Sequence, residues 1–482
     1  MMKRIVVTAL ASTTCLCAYA VTLNPHGRGQ VLTYPYYTVE NGQDTLISVV
    51  NTSEQGKRVY VQVREGRNSR IVAWLNVYLS AHDAWTAAIT STADGAKIVT
   101  ADASCTRPAI PAEGLPLSSD AYTGHSIAPY NAPDSGPQTL DRVREGHIDI
   151  VTKYEFPQDS DAYRAIAPAV PGGPPRDCNA VAINDVSEVV PSDTLFGSAA
   201  IVNVGEGTFF GYGADALAGF TATALFFGSS ATAEIEILGA ANSASSSLTA
   251  TAHVVGDDGE PLSIDYTRGI DAVSAVFMVD SALNEYLTAS ALGAATDWVV
   301  AFPTKRFYTD AQAYPGAPRA PFPSAFAAGR ADVRVDATFH DQEGGAAASI
   351  LPPNCGTSCA TNLAPLSYAV NVLSILHAGT DGRSPVLGSQ LASVLKPYTM
   401  AASLNDAGWI SMDFDSDAER HTLPDGHAGD HTVTLHGLPA SGFMVYNIIN
   451  ANAAPGRLAN YGGAFTHRTG VACSGMGVAT CP

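Results

Sequence analysis

The sequence predicts a mainly β protein: antiparallel β-sandwich (Ig-like) domains with long Pro/Gly-rich loops. Three observations carry this. Apolar and polar residues alternate with a period of two between Asp44 and Thr90. The gaps between those runs hold Asn, Gly, Ser and Asp, the residues that turns require. The same alternation returns in the last third, at Val333–Phe339, Leu366–Val372, Ile410–Phe414 and Phe443–Ile449, with no amphipathic helix between runs.

The chain opens on Met1-Met2-Lys3-Arg4, an apolar stretch from Ile5 to about Leu16, and Ala18-Tyr19-Ala20. A basic start, an apolar core and a small-x-small end form a secretory signal peptide, so 1–20 is set apart from the fold. Cys15 and Cys17 fall inside it, and Thr14 and Leu16 are poor neighbours for a lipid-anchored Cys. No other apolar run approaches the ~20 residues of a spanning helix.

Residues 21–190 read as an N-terminal β-sandwich with a disulfide-tied insertion. Pro35 within Leu32–Val39 confines that run to an edge or to irregular structure. Tyr34, Tyr36 and Tyr37 form either a ligand platform or the cap of a β core, the second being favoured because a buried Tyr needs only one partner for its hydroxyl. Asp44–Asn51 is a mostly apolar strand. Val59, Val61 and Val63 then share one strand face, and Ile71, Ala73, Leu75, Val77 and Leu79 another. Trp85, Ala87 and Ile89 share a third. Six prolines between Pro108 and Pro137 interrupt the pattern. It resumes at Ile148, Ile150 and Tyr154, before a second Pro/Gly stretch at Pro168–Pro175.

Residues 191–312 form an Ala/Ser-rich β middle region. Phe196–Gly205 and Gly207–Tyr212 read as a hairpin. Ala272–Val279 fits helix or strand, and Trp298–Phe302 is a buried strand ending at Pro303. Lys305 and Arg306 either bind an anion or rest on Phe307 or Tyr308 and pair with acids, the second being favoured. Residues 313–330 read as a Pro-rich linker, 331–470 as a C-terminal β-sandwich, and 471–482 as a disulfide-clipped tail.

Composition limits the partners. The chain has 482 residues, 46% of them hydrophobic, enough for about three domains of ~100–150 residues. Its formal net charge is −19 with only 15% charged residues. Nucleic acid and anionic lipid both call for clustered Lys and Arg, so neither is expected. The cysteines outside the signal peptide are Cys105, Cys178, Cys355, Cys359, Cys473 and Cys481. An even set in an exported chain reads as disulfides. Order along the chain favours Cys105–Cys178, Cys355–Cys359 and Cys473–Cys481. Zinc is disfavoured because Cys355 and Cys359 have no second ligand pair nearby.

The densest group of chemistry-bearing residues is Asp413, Asp415, Asp417, Glu419, His421, Asp425, His427, Asp430, His431 and His436. Its Asp-x-Asp-x-Asp start imitates a calcium loop. Ala418 and Pro424 stand where Gly and Glu are required, so that pattern fails. On a regular strand His431 and His436 have opposite parity and face apart. The expectation is a hairpin, with strands at 409–415 and 431–438 around a polar loop that is either solvated, the favoured reading, or holds zinc or copper on its histidines. No Gly-x-Ser-x-Gly elbow, phosphate-cradling loop, dinucleotide fingerprint or haem-attachment motif occurs. No catalytic, metal or cofactor-binding residue is therefore assigned, and no cofactor is expected.

Several phrases resemble a group of uncharacterised exported proteobacterial proteins. They are Thr45–Thr52, Tyr78-Leu79-Ser80 with Trp85, Arg144–Ile148, Phe196–Ala199 and Asp297–Tyr308. The resemblance runs through most of the mature chain. It implies a Gram-negative envelope and carries over no site residue. The expected function is that of an exported, non-enzymatic β-sandwich protein acting through surface contacts at the cell envelope or outside the cell. Loops at 105–140, 155–180 and 416–430 would touch a protein or carbohydrate partner. The alternative is a secreted hydrolase or carbohydrate-active enzyme on the same scaffold. An outer-membrane barrel suits the Pro density poorly.

Overall fold

The computed structural model describes residues 19–184, 186–225, 237–241, 250–256, 261–344, 346–347, 363–376, 383–395, 406–416, 420–426, 432–455 and 457–475. The chain is mainly β, in stacked and mostly antiparallel sheets, none of which closes into a barrel among the described residues. No described helix is long and apolar enough to cross a membrane.

Two sheets build the N-terminal part. One has six strands, in the order Thr208–Gly213, Leu195–Asn203, Asp44–Asn51, Ala84–Ser91, Ala96–Val99 and Leu115–Pro116. The other has nine. Its centre runs Val31–Thr38, Glu145–Phe156, Gly56–Glu65 and Ile71–Leu79. The predicted faces meet between the sheets: Val59, Val61 and Val63, Leu75 and Val77, Trp85 and Ile89, Ile148 and Ile150 all lie in one buried cluster. The hairpin at 195–213 forms in register, Val202 opposite Phe209.

Pro35 is not at an edge. Its strand lies between Asp215–Ala218 and Glu145–Phe156. The ladder tolerates it because Tyr37 pairs with Gly146 and Tyr34 with Ile148, leaving a bulge across Pro35-Tyr36. A proline at a bulge removes no ladder hydrogen bond. The three tyrosines are core residues as expected. Tyr34 donates to the Ser48 carbonyl (2.6 Å), Tyr37 to the Val143 carbonyl (3.0 Å) and Tyr36 to Glu145 (2.8 Å).

A five-stranded sheet follows the order Ala392–Leu395, Val370–Ile375, Ala294–Ala301, Ser441–Ala454 and Arg457–Thr466. Its Val299, Val372 and Phe443 join the N-terminal core. Its Trp298, Val300 and Met444 face a second core. That core is closed by a six-stranded sheet containing Val333–Asp341, Ala407–Asp413 and Ser281–Leu287. Val333, Val335, Ala337 and Phe339 point inward there, as their alternation predicts. Pairing thus joins Ala294–Ala301, from the middle of the chain, to strands some 70 and 140 residues later. The ambiguous Ala272–Val279 run resolves into a buried helix, Gly269–Val276, and a two-residue strand, Met278–Val279.

The expected hairpin around 416–430 does not form. Ala407–Asp413 lies between Val333–Asp341 and Ser281–Leu287, while Thr434–His436 pairs with Thr422–Pro424 and Ala472–Ser474. Ile410 and Met412 pair with Phe339 and Ala337, an apolar register that the short strand Thr434–His436 does not offer. The Pro-rich stretch after Ala313 is packed: Phe322 is buried against Phe302 and Tyr308, and the Tyr314 hydroxyl meets that of Tyr130 at 2.8 Å. Cys105 and Cys178 form a disulfide. Cys473 is also disulfide-bonded. Cys355, Cys359 and Cys481 lie outside the described residues.

Candidate functional site

Behind the central strands lies a buried charge network. The turn Glu65–Arg70 holds Ser69 at φ +60°. Glu65 anchors it by accepting the N–H groups of Arg67 (2.8 Å), Asn68 (2.9 Å) and Arg70 (3.0 Å). Arg142 grips the same carboxylate from Nε and Nη2 (2.7 and 2.9 Å) and reaches Asp134 at 2.6 Å. Arg70 pairs with Asp310 at 2.8 Å and Arg64 with Asp149 at 3.2 Å. Two distant segments, Glu145–Phe156 and Arg306–Thr309, converge here through His147 and Arg306.

Lys305 and Arg306 present no anion site. Lys305 donates to the carbonyls of Leu366 (3.0 Å) and Tyr368 (3.1 Å), and burial pulls its pKa down to about 7. Arg306 donates to the Pro303 carbonyl (2.7 Å) and to Ser69 (3.2 Å), with its guanidinium over Phe307.

Ser69, His147 and Asp149 have the residue types of a nucleophilic triad, and Ser69 is hydrogen-bonded to His147. Distance and access decide against that role. His147 Nδ1 is 3.8 Å from Asp149, beyond hydrogen-bond reach. All three side chains are buried. Burial also pushes the His147 pKa down to about 3, so its ring is neutral. The group ties the N-terminal sheets to the 302–310 segment.

The residues singled out between Asp413 and His436 disperse. The His421 ring nitrogens each face a backbone carbonyl, of Pro321 and of Arg334, both at 3.2 Å. Asp425 closes its own turn by accepting from Thr432 and Val433. Asp413 accepts the Asp415 N–H at 2.9 Å. Asp415 and His436 do meet, at 2.7 Å, and His436 also reaches Ser474 at 2.8 Å. Asp417, Glu419, His427, Asp430 and His431 lie outside the described residues. Among the described residues no three His, Cys, Asp or Glu gather as metal ligands.

The outer face of the six-stranded N-terminal sheet carries an open groove. Alternation that sends Ile47, Val49 and Trp85 inward sends Leu46, Ser48, Thr86 and Ala88 outward. Register lines these into rows: Thr86, Ser48, Ser198 and Gly213, then Ala88, Leu46, Ala200 and Gly211. Such small side chains leave a groove of about 950 Å³, bordered by Phe209 on one side and Val99, Thr100 and Ala101 on the other. None of its lining residues is charged. Leu46, Phe196 and Phe209 are 44%, 42% and 63% exposed on this face.

No family model, curated protein or solved structure matches this chain.

Sequence reasoning missed this face because Ala, Ser, Thr and Gly on the outer side of a strand are unremarkable strand by strand. The cross-strand rows create the surface. The signal within reach was the absence of charge at every outward position from Leu46 to Val50 and from Ala84 to Ala88.

Proposed function

We propose that the chain is exported and acts by surface contact, with the outer face of the six-stranded N-terminal sheet as the contact surface. One observation carries the reading: a protein of formal net charge −19 keeps a groove of about 950 Å³ free of charge and exposes Leu46, Phe196 and Phe209 on that face. Exposed apolar side chains around an uncharged groove are the kind of surface that marks an interaction site. The groove offers hydroxyls from Ser48, Thr86, Thr100 and Ser198 and no amide, carboxylate or guanidinium side chain, which suits the apolar face of a protein partner better than a carbohydrate. The signal-peptide pattern and the Cys105–Cys178 disulfide support an oxidising compartment.

Placing a carboxylate in the groove tests this. Ala88→Asp and Ser198→Asp change stability by no more than about 0.5 kcal/mol, as surface substitutions do. They are expected to release the protein from the envelope fraction of the exporting cell. A wild-type chain retained in the cytoplasm, or a Ser198→Asp variant that fractionates like the wild type, overturns the reading.

A further inference from the structure

We propose that Asp415, His436 and Ser474 form a nucleophilic centre that accepts acyl groups from small esters. This goes beyond surface contact and departs from the non-enzymatic expectation; it stands or falls independently of the groove.

The register of the small three-stranded sheet creates the arrangement. Thr434 is opposite Ser474 and His436 opposite Ala472, so His436 and Ser474 lie on one face as diagonal neighbours. Leu435 points to the other face and is fully buried. The strand Ala407–Asp413 ends in a turn in which Asp413 accepts the Asp415 N–H, and this turn carries Asp415 to the imidazole. One Asp415 oxygen accepts the His421 N–H at 3.1 Å; the other accepts from His436 Nδ1 at 2.7 Å.

That contact orients the ring. With the imidazole neutral, a carboxylate that only accepts places the hydrogen on Nδ1 and leaves Nε2 as the acceptor. The Ser474 hydroxyl, 2.8 Å from Nε2, is therefore the donor. Nucleophile to base and base to orienting acid both lie within the distances this chemistry needs. The contrast with the buried trio is direct. His147 stands 3.8 Å from its acid, and Ser69 is sealed from solvent. Ser474 is exposed, and the His436 and Asp415 side chains are 19% and 15% exposed.

Ser474 Oγ bonds to the ester carbonyl carbon as its proton passes to His436 Nε2. The carbon–alkoxy bond then breaks, and the leaving alcohol takes that proton. Water, deprotonated in turn by His436, releases the carboxylic acid and restores the serine. Asp415 holds the ring and balances the imidazolium formed at each step.

The test uses the full chain with a fluorophosphonate probe, followed by p-nitrophenyl acetate. The probe is expected on Ser474 in peptide mass spectra and absent in Ser474→Ala. Asp415→Asn and His436→Gln should each slow labelling by at least ~100-fold, as loss of a triad member does, with unchanged circular dichroism. Should His436→Gln disturb the small sheet, Asp415→Asn alone decides, since it keeps the shape of the acid. Labelling of Ser474 at the wild-type rate in Asp415→Asn, or no labelling of Ser474 in the folded wild type, overturns the proposal.

Discussion

Arg142 is the cation on which the Glu65–Arg70 turn rests. Replacing it with Ala leaves the carboxylates of Glu65 and Asp134 buried without their partner. Breaking a buried pair in this way costs about 3–5 kcal/mol. Urea unfolding of Arg142→Ala should show a loss of that size at unchanged denaturant slope. Glu145 gives a pH signature. Buried beneath Tyr36, Ser389 and Gln390, its carboxyl is raised to about 7 from a reference of 4.5. The folded state then holds this proton more tightly than the unfolded one. Its contribution is complete below pH 4.5 and is lost as pH rises through 7. Buried His147 and His467, with pKa values lowered to about 3 and about 4, work in the opposite direction, so the difference between two proteins is the useful quantity. From pH 5 to pH 8, Glu145→Gln should gain on the wild type by an amount on the order of 3 kcal/mol, measured as paired unfolding free energies. Glu145 and His147 are legible in sequence only as positions of the alternating run Arg144–Tyr154. A period of two separates two faces and does not say that both are covered. The second face of Gly56–Glu65 and Glu145–Phe156 is buried too, and Gln62, Arg64, His147 and Asp149 lie on it.

Most elements whose apolar face follows a strict alternation form as that pattern predicts. Val59–Val63, Trp85–Ile89 and Val333–Phe339 are the clearest cases. Leu366–Val372 is the exception, its ends falling on Leu363–Leu366 and Val370–Ile375 in different sheets. The failures have physical causes. Pro35 reads as confining its run to an edge or to irregular structure because a bulge inside a central strand depends on the partner strand, which local sequence does not name. The hairpin around 416–430 was read from chain proximity, yet Ile410 and Met412 found their apolar register with Val333–Asp341. Cys105–Cys178 was read correctly because order along the chain left it the simplest pairing, and its two halves sit on a short strand and a short helix. The bridge closes a loop between residues 73 apart. On the chain-entropy account it contributes about 4 kcal/mol. A Cys105→Ala/Cys178→Ala double variant should lose stability of that order in urea, with the same far-ultraviolet circular dichroism before the transition.

Across the whole molecule, the five-stranded sheet ties the parts together by giving one face to each core. Its strand Ala294–Ala301 lies outside the segment 331–470, although it pairs with Val370–Ile375 and Ser441–Ala454 inside that segment. Expressed alone, residues 331–470 should therefore lack a cooperative urea transition; a sharp one would show that the second core closes without Trp298 and Val300. The contact reading is also tested at this scale, because the groove draws on several strands at once and the sequence-read loops need none of them. The most direct measurement places a photo-crosslinking phenylalanine analogue at Phe209 on the sheet face, and in parallel at Val170 in the 155–180 loop, in cells exporting the full chain. A discrete crosslinked envelope protein from position 209 and none from position 170 is the predicted result. Crosslinking from position 170 alone would contradict it and return the contact to the loops.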